Sequence, residues 1–193
     1  MCADLETVPE PAHLTEADLE AGFGHVLASP ADGGTLEMIV RRPGVNQRET
    51  LDEGRLTIEE GLEGDSWRGR RGYTLPDGSP DPDAQITLTN ARFADLIAGA
   101  RDRWPLAGDQ LYVDLDLSGS NLPPGTRLRI GDATIEVTAL PHTGCSKYRQ
   151  RFGLEALKFT ATPEGRSRHL RGIYARVVEP GTARVGDTIR KVD

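Results

Sequence analysis

The sequence predicts a mainly β, α+β fold: a small closed or nearly closed β-barrel with short peripheral helices. Three observations predict it. Short extended runs dominate the chain after residue 33, the helical signals between them are brief, and one turn-strand-turn device occurs twice. The device reads Pro124-Gly125-Thr126-Arg127-Leu128-Arg129-Ile130-Gly131-Asp132 and again Pro180-Gly181-Thr182-Ala183-Arg184-Val185-Gly186-Asp187. In a chain with six or seven short strands its repetition points to a barrel, because closure removes exposed sheet edges.

Taken in order, Thr15 and Asp18 mark a helix start, and Leu19, Phe23, Val26 and Leu27 then share one helical face, weakened by Gly22 and Gly24. Residues 1–33 are thus read as an N-terminal helical appendage and 34–193 as the barrel domain. After Gly33-Gly34, the pattern Leu36, Met38, Val40 has period two and ends at Pro43. Residues 85–89, 110–117, 126–130, 133–140, 172–178 and 187–192 read as extended. Between the first two of these, Asn90 caps a helix that turns Phe93, Leu96 and Ile97 inward and stops at Gly99. Gly131-Asp132 is a two-residue hairpin link, since glycine accepts the positive φ such turns need. Residues 61–84, rich in Gly and Pro, form the longest irregular stretch. Loops of that length inside a compact domain are binding elements or surface excursions. Trp67, Arg68, Arg70, Arg71 and Tyr73 would let this one close over an anionic ligand with an aromatic face. Glu59, Glu60, Glu63 and Asp65 read as a solvated acidic turn in which Asp65 can brace the glycine loop.

The chain has 193 residues, and a formal charge of -7 argues against general nucleic-acid binding. No signal peptide is visible, and no apolar run approaches the roughly 18 residues that cross a bilayer. Cys2 lies in a polar start, so no disulfide framework is implied and a cytoplasmic location is expected. Charge is unevenly spread: residues 1–66 hold 15 Asp and Glu against 4 Arg, whereas residues 142–176 hold 8 Lys and Arg against 2 Glu.

Cys145 sits in that basic part, where the strand ending at Pro141 gives way to a helical turn, Lys147 to Phe152, closed by Gly153; a short helix from Leu154 to Phe159 follows. A helix N-terminus carries partial positive charge, and Lys147, Arg149 and Arg151 add full charges, so a depressed thiol pKa is expected. His142, three residues earlier, can exchange protons with the sulfur if the turn folds back. Arg149, Arg166, Arg168 and Arg171 would draw a phosphate-bearing cofactor if they converge with Cys145, and would otherwise be a solvated basic face. His13, His25 and His169 form no recognisable metal spacing.

Gly61-Leu62-Glu63-Gly64-Asp65, Gln85-Ile86-Thr87-Leu88, Gly108-Asp109-Gln110, Leu115 to Leu122, the Pro124 to Val137 hairpin, Cys145, and Arg171-Gly172-Ile173 through Gly186-Asp187 together resemble the MOSC family, the molybdenum cofactor sulfurase C-terminal domain family. The similarity spans about residues 36 to 192. It implies a barrel-like domain whose cysteine either binds the molybdenum of a molybdopterin cofactor or carries sulfur as a persulfide. For the cofactor, Cys145 would be the metal ligand and the basic side chains Arg68, Arg70, Arg71, Lys147, Arg149, Arg166, Arg168 and Arg171 would hold its anionic part. Family members joined to a pyridoxal-phosphate-dependent domain handle sulfur for molybdenum enzymes, and others reduce small N-hydroxylated molecules with electrons from a reductase. No pyridoxal-phosphate site is identified here, so a cysteine desulfurase or reductase would be a separate protein. Where many relatives resemble Gly-Glu-Asn-Leu, this chain has Tyr112-Val113-Asp114-Leu115, and the Asp114 carboxylate would repel an anionic cofactor unless paired. A third reading is non-enzymatic: a module gripping an anion or an acidic partner through the Trp67 to Tyr73 loop and the arginines at 166–171.

Overall fold

In a computed structural model of the chain, residues 12–69 and 74–193 are described. Cys2, Arg70, Arg71 and Tyr73 lie outside the described residues. In chain order the elements are α1 (Glu16–Leu27), β1 (Gly34–Arg41), β2 (Glu49–Leu51), β3 (Glu53–Thr57), β4 (Gly61–Leu62), β5 (Ile86–Asn90), α2 (Ala91–Ala98), β6 (Leu111–Asp114), β7 (Arg127–Ile130), β8 (Ala133–Val137), α3 (Ser146–Ala161), α4 (Pro163–Ser167), β9 (Ile173–Glu179), β10 (Gly181–Arg184) and β11 (Thr188–Val192).

Seven strands close a ring in the order β11-β7-β8-β9-β5-β6-β1, and β1 pairs back to β11. The barrel is mixed: β5 and β6 run parallel, joined by α2 and a 3-10 turn over Arg101–Ala107, and the other ring pairs are antiparallel. Strand alternation divides the apolar side chains between two cores. Ile39, Ile86, Leu88, Leu111, Val113 and Ala175 fill the interior, each fully buried as expected for a packed barrel. A bulge between Leu36 and Met38 shifts the register, so Leu36 and Ile39 both join that interior while Met38 and Val40 face outward. The outward set, with Tyr112, meets Phe93, Trp104 and Phe152 of the helical layer in a second core.

The ring strands match the extended runs of the sequence: β5 and β9 are shifted by one residue, β7 and β11 begin one residue later, and β6 and β8 end three residues earlier. Three predicted helix features are also present. Thr15 and Asp18 form a reciprocal capping box, Asn90 Oδ1 accepts from Phe93 N, and Gly99 ends α2 with φ +70°. Helix α3 contains a break at Gly153, with φ +91°, that separates the two short helices expected on either side of it. Leu27 departs from expectation. It is 43% exposed, because α1 buries only Leu19 and Val26.

Strands β2, β3 and β4 were not legible. In β3 the buried positions are Gly54 and Leu56, and a glycine between charged residues gives no period-two signal. Together with β10 and β4, β3 forms a separate three-stranded sheet that adds Leu56, Leu62 and Ala183 to the barrel core. The described part of the 61–84 stretch also holds regular elements, β4 at its start and 3-10 turns at Trp67–Gly69 and Pro82–Ala84.

On the barrel surface Glu136 of β8 joins Arg176 of β9, at 2.6 Å, and Arg127 of β7, at 3.2 Å. The hydrogen bond from Arg176, then that from Arg127, holds its carboxyl below the ordinary range against the opposing effect of partial burial. A depressed folded-state pKa stabilises above the unfolded value, and that contribution is lost as pH falls through the folded one. Urea midpoints of the wild type and Glu136→Gln should therefore differ at neutral pH and converge in acid. A constant gap across the titration would exclude this linkage.

Candidate functional site

Period-two alternation carries Thr87 of β5 and its cross-strand partner Tyr174 of β9 onto the outside of the barrel wall. A hollow of about 200 Å³ opens there, lined by Thr87, His142, Cys145, Tyr148, Arg171 and Tyr174 among others. The thiol thus faces this hollow rather than the barrel interior, which is filled by apolar side chains.

Cys145 is exposed and is the N-cap of α3, with φ -128° and ψ 174°. Its side chain makes no capping hydrogen bond, so the unsatisfied N–H groups of the first turn remain directed toward the thiol end of the helix. One turn on, Lys147 and Arg151 line the hollow. Lys147 Nζ donates to Asn46 Oδ1 at 3.1 Å, and Arg151 Nη1 donates to the Leu106 carbonyl at 2.7 Å. Neutral oxygens do not cancel these charges. Asn46 itself has φ +61°, a left-handed conformation that asparagine tolerates, and it presents its amide to both cations.

Two buried carboxylates hold the back of the hollow. The Asp65 side chain is fully buried; it accepts from Arg42 Nε and Nη2, each at 2.9 Å, and from the Arg42 and Trp67 backbone N–H groups. Asp109 is also fully buried and accepts from Arg171 Nη1 at 2.8 Å. Gly108, with φ +91°, ends the preceding 3-10 turn and aims Asp109 inward. His142 Nδ1 lies 3.7 Å from the other Asp109 oxygen, and the His142 ring tilts against Tyr174 at 4.5 Å. Gly172, with φ +106°, permits this arrangement: a Cβ there would strike the Leu88 carbonyl and sit 3.1 Å from His142 Nδ1.

Burial disfavours the Arg171 charge, but the Asp109 carboxylate outweighs that effect and holds its pKa above the ordinary value. The guanidinium also lies 4.8 Å from the Tyr148 ring centre, a cation-π contact. Burial pushes the Tyr148 hydroxyl up in pKa, so it stays neutral. Arg42, Arg48, Lys147, Arg151 and Arg171 line the hollow and no carboxylate does; Asp65 and Asp109 behind it pair with Arg42 and Arg171, which still leaves a positive excess beside a reachable sulfur.

The predicted residues are only partly gathered. Cys145, His142, Lys147 and Arg171 converge on the hollow. Arg166 lines a neighbouring cavity, Arg168 lies near surface depressions beside α4, and Arg68 and Arg149 are exposed away from the hollow's lining. Arg70 and Arg71 fall outside the described residues. Trp67 is no aromatic lid: it is 5% exposed, and its indole N–H donates to the Asp81 carbonyl. Asp65 braces the loop rather than facing solvent, whereas Glu59, Glu60 and Glu63 are exposed as expected. Asp114 is paired with Arg92 through bonds of 2.7 and 2.9 Å, outside the hollow's lining, so its charge is compensated there. Sequence reasoning assigned no role to Arg42, Arg48, Asn46, Asp109, Tyr148 or Tyr174. Asp109 carried a signal, since it stands within Gly108-Asp109-Gln110.

Among the described residues no group of His, Cys, Asp and Glu forms a metal-holding cluster, and no helix is long and apolar enough to cross a membrane. Residues 82–190 match the family model described as MOSC domain. A crystal structure of YiiM from Escherichia coli is similar to 82% of this chain and 70% of that chain, with 20% identity and a TM-score of 0.52. The YUAD protein from Bacillus subtilis is similar over 81% of this chain and 93% of its own, with 18% identity and a TM-score of 0.54. A further crystal structure, described as a hypothetical protein, gives 21% identity and a TM-score of 0.56 over 86% of this chain and 71% of that one. These likenesses concern the fold. No curated protein matches.

Proposed function

Because the chain belongs to the MOSC domain family, which matches more than half of it, we propose that it binds a molybdenum-pterin cofactor through Cys145 and reduces small N-oxygenated molecules. The observation that carries this reading is an exposed thiol on a hollow lined by five cationic side chains and no carboxylate. That donor set fits the group: a thiolate suits molybdenum, and a cationic wall suits an anionic dithiolene and phosphate. Cys145 would supply the sulfur ligand, while Lys147, Arg151 and Arg171 would hold the anionic part.

When bound, the cofactor would supply a centre that accepts and donates electrons in pairs. An N-hydroxylated substrate takes up two electrons and two protons and leaves as the reduced base and water, the electrons coming from a separate reductase. Asp109 fixes Arg171, and its other oxygen lies 3.7 Å from His142 Nδ1. Protein from a molybdenum-competent host should carry bound molybdenum on elemental analysis. Metal-free protein after gentle purification would overturn the reading.

Exposure of Cys145 favours a second reading, a metal-free persulfide carrier loaded by a separate pyridoxal-phosphate-dependent cysteine desulfurase. The thiolate would take sulfane sulfur from the desulfurase persulfide, whose own sulfur leaves as the thiolate. Mass spectrometry after incubation with desulfurase and cysteine should then find one added sulfur on Cys145, and repeated failure removes this reading.

A further inference from the structure

A cavity of about 660 Å³ adjoins the thiol hollow, and His142, Thr143 and Arg171 line both. Its size falls within the range of about 300–1,000 Å³ usual for small-molecule sites. Leu122, Val137, Leu140, Pro141, Leu157 and Ile173 make its walls apolar. Several polar groups in the lining are engaged with the protein's own backbone. Thr138 Oγ1 donates to the Asp83 carbonyl, Thr160 Oγ1 to the Leu157 carbonyl, and His169 Nδ1 lies 2.8 Å from the Leu117 carbonyl. Arg166 differs from them. It is exposed, and among the described residues its guanidinium has no hydrogen bond or ion pair. No Asp or Glu lines the cavity.

We infer that this cavity binds an organic anion with an apolar body, its carboxylate toward Arg166, and that this is the substrate class of the adjoining site. The second half rests on the reading given under Proposed function. The first half stands on the cavity alone: apolar walls take the body by the hydrophobic effect, and an unpartnered cation with no competing carboxylate selects the charge. A molecule filling the cavity touches the same His142 and Arg171 that line the thiol hollow, which links recognition to the chemistry.

Calorimetry with naphthoate and its neutral counterpart naphthamide tests the inference on metal-free and metal-bound protein alike. Both compounds should bind, naphthoate roughly threefold tighter at low salt, as an exposed ion pair allows. Added salt should close that gap. Arg166→Ala should equalise the two affinities. Ala139→Trp and Ala161→Trp, at exposed lining positions, should each abolish binding of both while thermal unfolding remains that of the wild type. Failure of either compound to bind the wild type, equal affinities for the two, or binding that survives both tryptophan variants overturns the inference. Molybdenum content is measured separately. Bound metal without naphthoate binding removes the cavity assignment alone, whereas naphthoate binding to a chain that never carries metal supports the cavity and removes only its link to the cofactor.

Discussion

Asp65→Ala should cost about 3–5 kcal/mol of folding stability, the range for breaking a buried ion pair from one side, read as a drop in the urea midpoint. The carboxylate has no exposed surface, and the Arg42 side chain is only 4% exposed. Removing Asp65 deletes three hydrogen bonds to Arg42 and one to the Trp67 backbone. The guanidinium would be left buried with only its bond to the Gly108 carbonyl, at 2.8 Å. The penalty is therefore the stranded charge more than the lost attraction. Asp65→Asn should be milder, because the amide oxygen can still accept. Replacing both partners together, as Arg42→Met with Asp65→Leu, should recover much of the loss because no charge remains to desolvate. Equal stability of Asp65→Ala and wild type would show that water reaches Arg42.

The same pair explains what could and could not be read from the sequence. Ring strands such as β5 and β9 were legible because apolar residues recur through them; in β5 every position is buried. The hairpin between β7 and β8 was legible because Gly131 has φ +55°, and a Cβ there would run into the Thr182 carbonyl. The site was legible where its residues fall in the basic segment 142–176, as His142, Cys145, Lys147 and Arg171 do. Arg42 and Asp65 are 23 residues apart, and Asp109 and Arg171 are 62 apart. Local charge counts treat such residues as solvated, since nothing nearby in sequence marks them as partners. Counting charge also overstated the basic segment: Arg149, Arg166 and Arg168 share it with Arg171 yet do not line the thiol hollow. Helix phase along α3 turns Lys147 and Arg151 toward the hollow and Arg149 away from it.

Cys145→Ser should abolish bound molybdenum or transferred sulfur while raising stability, two effects of opposite sign from one atom. Serine is among the preferred N-cap residues, and Cys145 already has the extended backbone of that position without a side-chain cap bond. A hydroxyl there can accept from an N–H of the first turn of α3, for a gain of up to about 1 kcal/mol. Because the residue is exposed, the swap leaves no cavity. Oxygen nevertheless provides neither a soft ligand for molybdenum nor a persulfide. Cys145→Ala separates the terms: it should lose the same chemistry with stability near that of wild type. Matched unfolding curves and metal analyses on the three proteins decide the matter. Retained molybdenum in both variants would mean that the cationic wall, not the sulfur, holds the cofactor. Loss of metal with lowered stability in both would instead mark Cys145 as a packing residue whose replacement disturbs α3.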